Sequence, residues 1–263
     1  MPFGYFESTS YNTPQKKNRN LWDKIIHCNR LYFTSKFAWI VLKTRSQAIR
    51  GIYDRTAWSD SSYYIFRFIE KTGGVFSIDG MENITAERVP LVFIGNHMST
   101  LETMILPSLI APHIEVTFVV KESLVRHPFF GHVMRSRNPV VVGRKDPRKD
   151  LEEVMVKGMR LLKEGVSIVI FPQSTRSVEF KPEEFNSLGI KLAKKAGVKV
   201  VPVAMKTDFW GQGRIIKELG PLDHRKIIHF RFGEPFTVTG TGREENQRII
   251  NFINSSLEEW KME

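Results

Sequence analysis

Leu91-Val92-Phe93-Ile94-Gly95 is an unbroken apolar run, and Asn96-His97-Met98-Ser99-Thr100-Leu101-Glu102 follows it directly. An apolar run without polar alternation suits a strand buried on both faces, as in the interior of a parallel sheet. The residues behind it open a helix. His97 therefore falls at a strand end, with the Glu102 carboxylate in the first turn of the next helix. Ser99-Thr100-Leu101-Glu102 also reads as a capping box, in which Ser99 caps the helix and Glu102 reaches back to it. A second apolar run, Val166 to Ile170, leads into Phe171-Pro172-Gln173-Ser174-Thr175-Arg176-Ser177 and supplies a cation at another strand end. Strand ends on one edge of a parallel sheet meet in space, so the two segments are expected to share a cleft.

The same grammar extends to both sides. Strands are expected over Val75 to Ile78, Leu91 to Gly95, Glu115 to Val120, Pro139 to Val142, Val166 to Phe171, Val198 to Met205 and Ile227 to Phe232. Helices are expected over Leu101 to Ile110, His127 to Met134, Pro147 to Lys163, Glu183 to Ala196 and Arg243 to Trp260. The third of these carries Leu151, Val154, Met155, Met159 and Leu162 on one stripe. Alternating strands and helices define an α/β fold, a mostly parallel sheet flanked by helices. Thr72-Gly73-Gly74 breaks this region from what precedes it. The chain thus divides into residues 1–72, basic aromatic-rich N-terminal helices, and residues 73–263, the α/β domain.

Residues 1–20 read as frayed, Leu21 to Arg50 and Ser59 to Lys71 as helical. The charge is uneven. Of a net +11, residues 1–50 hold nine Lys or Arg against Glu7 and Asp23, or +7, which leaves +4 for the rest. Such a segment seeks polyanions. Trp22, Tyr32, Phe33, Phe37, Trp39, Trp58, Tyr63, Tyr64, Phe66 and Phe68 are interleaved with the cations, and that mixture favours an anionic lipid surface over nucleic acid. The longest strongly apolar stretch, Leu31 to Leu42, would span roughly 18 Å as a helix, against a hydrocarbon core of about 30 Å. A membrane-associating segment that lies on the bilayer is expected, alongside some packing of these rings on the protein's own core.

Met1 to Asn20 lacks the apolar core of a signal peptide, and Cys28 is the sole cysteine. Both fit a reducing, cytoplasmic setting. His113, His127, His132, His224 and His229 show no ligand spacing with carboxylates or cysteine, so no metal site is expected.

Four segments in order resemble the glycerolipid acyltransferases, the family of the 1-acylglycerol-3-phosphate (lysophosphatidic acid) acyltransferases. They are Asn96-His97 with an acid at Glu102; Val140-Val141-Val142-Gly143-Arg144; Phe171 to Ser177, similar to the family's Phe-Pro-Glu-Gly-Thr-Arg-Ser block; and Val201-Pro202-Val203-Ala204-Met205. Lys121-Glu122-Ser123-Leu124 with Pro128-Phe129-Phe130-Gly131 resembles the segment between the first two. Three positions depart from the pattern: Glu102 stands where the family usually has Asp, Gln173 where it has Glu, and Ser174 where it has Gly.

The resemblance implies His97 as general base, Glu102 as its orienting acid and no covalent acyl-enzyme. It implies Arg176, Arg144 and Lys121 as ligands of a substrate phosphate. Backbone N–H groups around Ser174 and Thr175 are candidate oxyanion donors. No Gly-x-Ser-x-Gly elbow is present, since Gly165-Val166-Ser167-Ile168-Val169 lacks the last glycine. The implied reaction moves a fatty acyl group from an acyl-carrier protein or coenzyme A thioester to the free hydroxyl of a lysophospholipid, foremost 1-acylglycerol-3-phosphate to give phosphatidic acid, with no cofactor, at the cytoplasmic face of a membrane as a peripheral or monotopic protein. Two other readings compete: the same chemistry on another lysolipid or an amino-acid lipid, and a non-catalytic lipid- or nucleic-acid-binding protein.

Overall fold

The computed structural model describes residues 4–14, 30–87, 90–173, 175–213 and 220–262. Its strands are β1 (Tyr11–Asn12), β2 (Val75–Asp79), β3 (Val92–Gly95), β4 (Val116–Lys121), β5 (Val140–Val142), β6 (Ser167–Ile170), β7 (Val200–Lys206) and β8 (Ile227–Phe232). They form one eight-stranded sheet in the order β1-β2-β8-β7-β3-β6-β4-β5. The five strands from β7 to β5 are mutually parallel. Strand β8 pairs antiparallel with β7 and parallel with β2, and β1 closes the edge antiparallel to β2.

Side chains alternate across the sheet, and both faces are covered. Phe93, Val169, Val201 and Val203 join one hydrophobic cluster, while Val92, Ile94, Ile168, Ile170, Val200 and Ala204 join the other. That is why these strands read as continuous apolar runs. At Gly95 a Cβ would lie 2.7 Å from both Met205 Cε and Val203 O, so only glycine lets β3 end this close to β7.

Helices α1 (Arg30–Ile49), α2 (Arg55–Lys71) and α3 (Leu101–Ile110) belong to the first face. Pro107 interrupts the hydrogen-bond ladder of α3. The buried Ser62 of α2 fills in: its hydroxyl donates to Met104 O at 2.6 Å and accepts Ser108 N–H at 2.9 Å. Short helices α4 (Glu122–Val125) and α5 (Gly131–Ser136) follow β4. Helix α6 (Pro147–Glu153) continues through a π-helical turn (Val154–Gly158) into α7 (Met159–Lys163). With α8 (Leu188–Ala196) and α9 (Arg243–Glu259), these cover the second face.

Several boundaries differ from expectation. Tyr11 and Asn12 are a strand where residues 1–20 read as frayed, held by Tyr11 Oη and Thr13 Oγ1 donating to the buried Glu70. Residues 21–29 of the expected first helix lie outside the described residues. Helix α2 begins four residues early because Asp54 caps it, accepting Ala57 N–H at 2.8 Å. His127 to Phe130 form a turn around the His127 ring, which delays α5 to Gly131. Asn186 accepts Leu188 N–H and donates to Pro172 O, so the expected helix from Glu183 splits into a 3-10 turn (Pro182–Glu184) and α8.

The N-terminal aromatics divide between two environments. Phe33, Phe37, Trp58, Phe66 and Phe68 are buried in the cluster that includes the sheet, whereas Trp39 is 48% and Tyr64 45% exposed. Trp22 lies outside the described residues. Among the described residues no helix is long and apolar enough to cross a membrane.

Candidate active site

All five parallel strands end on one edge, and their following loops converge there. His97 leaves β3 between two clamps. Asn96 before it makes a two-point bond with the backbone of Met205 on β7, donating from Nδ2 to the carbonyl at 2.7 Å and accepting the N–H at 2.9 Å. The segment after β6 holds His97 itself at three points. Its N–H donates to Gln173 Oε1 at 2.8 Å, its carbonyl accepts Ser177 N–H at 2.9 Å, and its ring stacks on Phe171 with centroids 4.5 Å apart.

Glu102 is wholly buried, and its carboxylate is met by backbone and side-chain donors. Oε1 accepts the N–H groups of Met98 at 2.8 Å and Ser99 at 2.9 Å, together with the hydroxyl of Thr207 from the end of β7. Oε2 lies 3.2 Å from His97 Nδ1. The Ser99 hydroxyl donates to Thr207 Oγ1 at 3.0 Å and accepts the N–H of Leu101, the first residue of α3, rather than that of Glu102. The capping and catalytic readings of this segment are not alternatives. One carboxylate ties the start of α3 and faces the imidazole. A carboxylate facing Nδ1 favours the tautomer with the proton on that nitrogen and the lone pair on Nε2.

The cations arrive from two other strand ends. Arg176 Nη1 donates to Thr100 Oγ1, beside the histidine loop. Arg144 has φ +56°, a left-handed conformation that a bulky residue adopts only under compulsion. The compulsion is Asp150, whose carboxylate accepts Gly143 N–H at 2.8 Å and Arg144 N–H at 2.9 Å. Arg144 Nη1 in turn donates to Gln173 O at 3.3 Å. Burial pulls the Arg144 guanidinium below its ordinary pKa, and Asp150 opposes that shift. His97, Glu102, Arg176 and Arg144 are thus linked through Gln173 and Thr100. Lys121 is exposed at the end of β4, paired in register with Val142, two residues before Arg144. Thr175 is exposed, and Ser174 lies outside the described residues.

Sequence reasoning missed Thr207 and the part played by Gln173. Both follow strands that neighbour β3 in the sheet, and that placement was the available signal. Among the described residues no group of three or more His, Cys, Asp or Glu side chains could hold a metal ion.

An imidazole paired with a buried carboxylate, with two arginines on neighbouring strand-end loops of an α/β sheet, is an arrangement suited to group transfer. The family model described as Acyltransferase matches residues 75–206, half of the chain, and the chain belongs to that acyltransferase family. It is 28% identical over 207 residues to a 1-acyl-sn-glycerol-3-phosphate acyltransferase of Pseudomonas aeruginosa, covering 78% of this chain and 74% of that one. It is 32% identical over 177 residues to a chloroplastic 1-acyl-sn-glycerol-3-phosphate acyltransferase of Arabidopsis thaliana, covering 65% of this chain but 46% of that protein. The fold matches the crystal structure of the 1-acyl-sn-glycerophosphate acyltransferase PlsC from Thermotoga maritima with TM-score 0.64 at 20% identity, over 91% of this chain and 97% of that one.

Proposed function

We propose that this enzyme esterifies the free hydroxyl of 1-acylglycerol-3-phosphate, giving phosphatidic acid, with an acyl-carrier protein or coenzyme A thioester as donor. The observation that supports this reading is the His97–Glu102 pair, in which Oε2 of the buried carboxylate lies 3.2 Å from Nδ1; in the proposed mechanism that contact holds Nδ1–H and leaves Nε2 as the base. The acceptor oxygen attacks the thioester carbonyl while its proton passes to His97 Nε2. The tetrahedral oxyanion then collapses, the carbon–sulfur bond breaks, and the departing thiolate takes the proton back as a free thiol. No acyl group becomes attached to the protein.

Arg176 and Arg144 bind the acceptor's phosphate in this proposal, for which a planar guanidinium fork is better suited than an ammonium. Lys121 adds charge to the rim, and backbone donors near Thr175 face the oxyanion. The reaction belongs to an anionic membrane surface on the cytoplasmic side. Exposed Trp39, Leu42, Ile49, Ile52 and Tyr64 support that placement, with Lys36 and Lys43 lying 5.6 and 5.2 Å from the Trp39 ring. The Gln173 departure also supports a related reading, the same chemistry on another lysolipid or an amino-acid lipid.

The test is transfer of a labelled acyl group from either thioester to lysophosphatidic acid and to a panel of other lysolipids. His97→Ala should lower the rate by about 10²–10⁴ without changing the product. Product formation by this variant at the wild-type rate refutes the mechanism.

A further inference from the structure

The loop from β5 into α6 carries four cations and two acids, in Arg144-Lys145-Asp146-Pro147-Arg148-Lys149-Asp150. Both acids are turned onto the backbone. Asp150 accepts the N–H groups of Gly143 and Arg144, and Asp146 accepts those of Arg148 at 3.0 Å and Lys149 at 3.3 Å. Lys145, Arg148 and Lys149 stay exposed, and none of the three has an ion-pair partner among the described residues. Glu152 and Glu153 stand a turn further along and pair with none of them. Helix stability does not account for these charges. Arg148 and Lys149 lie in the first turn of α6, where cations oppose the helix dipole.

The patch also has a defined place. It follows β5 on the sheet edge that carries the imidazole, three strand spacings from β3, or roughly 14 Å. No large apolar side chain between Gly143 and Glu153 is exposed, in contrast to Trp39, Leu42 and Tyr64 of α1 and α2, so the patch lacks the apolar surface of a bilayer contact. Exposed cations with no apolar neighbours suit a broad anionic protein surface.

We propose that Lys145, Arg148 and Lys149 form the docking surface for an acyl donor carried on an acidic protein, the acyl-carrier protein of the reaction proposed above. The inference rests on that reading of the enzyme. The carrier binds beside the cleft, and the arm that bears the thioester spans the strands between the patch and His97. The cations steer the encounter and set the orientation in which the arm enters.

The triple variant Lys145→Glu, Arg148→Glu and Lys149→Glu should raise KM for the acyl-carrier-protein thioester at least about tenfold, and remove its rise with added salt. KM for the coenzyme A thioester and for lysophosphatidic acid should stay within about threefold, which also reports that the variant is folded. An unchanged KM for the carrier thioester overturns the proposal. An equal rise for both donors overturns it in favour of a general anion site, and weakened binding to phosphatidylglycerol vesicles with no preference between donors assigns the patch to the membrane instead. A wild type that transfers to lysophosphatidic acid from coenzyme A but never from the carrier overturns the docking surface alone. Transfer from neither donor overturns the parent reading, and this proposal with it.

Discussion

Replacing Glu102 by glutamine removes one charge and almost no volume. Three donors converge on Oε1, namely Met98 N–H, Ser99 N–H and the Thr207 hydroxyl. The amide oxygen will take that place, which puts the NH₂ group at the Oε2 position, 3.2 Å from His97 Nδ1. An NH₂ donor facing Nδ1 selects the tautomer protonated on Nε2. The nitrogen that takes the acceptor's proton in the proposed mechanism then already carries one. The equivalent exchange in a serine-protease triad lowers kcat about 10⁴-fold, so a fall of roughly 10³–10⁴ is expected here. Both KM values should stay within about threefold, because no substrate-binding group is touched.

Stability should respond much less. Bonds to a charge weaken to bonds to a neutral oxygen, but a neutral amide costs less to bury, for a net loss of about 1–2 kcal/mol. In a chain of this size that lowers Tm by roughly 2–8 °C. Glu102→Ala, which strands the Met98 and Ser99 donors and opens a cavity, should lose about 3–5 kcal/mol. Thioester cleavage followed through the released thiol gives kcat, and calorimetry gives Tm. A Glu102→Gln enzyme that keeps its kcat within about tenfold of wild type refutes the tautomer argument.

The buried His229 on β8 stacks on Trp260 at 4.7 Å, and burial, followed by Lys206 and Arg231, lowers its pKa from 6.5 to about 4. Since the folded value lies below the unfolded one, its contribution is complete above pH 6.5 and is lost as pH falls towards 4, on the order of 3 kcal/mol. Melting curves of wild type and His229→Phe across that range should converge as the wild type weakens; parallel curves contradict the assignment. Trp39 and Leu42 are 48% and 54% exposed, so Trp39→Ser with Leu42→Ser should weaken binding to phosphatidylglycerol vesicles at least about tenfold by loss of apolar burial. Tm should hold, and unchanged flotation with the vesicles removes these side chains from the membrane contact.

The central strands were legible because each is apolar on both faces, and the five-residue spacing of His97 and Glu102 made their pairing readable within one loop. Other features depended on partners far along the chain. Thr207 reaches Glu102 across 105 residues, and Gln173 reaches His97 across 76. Neither distance leaves a local periodicity to read. The early start of α2 was written locally, in Asp54 three residues before Ala57, but an N-cap signal is short and easily passed over. Strand β1 has two residues, too few to alternate, and its place comes from Glu70 on α2.

That small strand has a role out of proportion to its length. Thr13 N–H donates to Phe76 O at 2.9 Å, and Phe76 N–H donates to Thr13 Oγ1 at 2.8 Å. These bonds occupy the outer row of β2 that would otherwise be open to another chain. A protein trimmed to begin after this point would keep every group around the imidazole. Its first symptom would be self-association along a bare sheet margin, and a clouded preparation could be mistaken for a failure of catalysis.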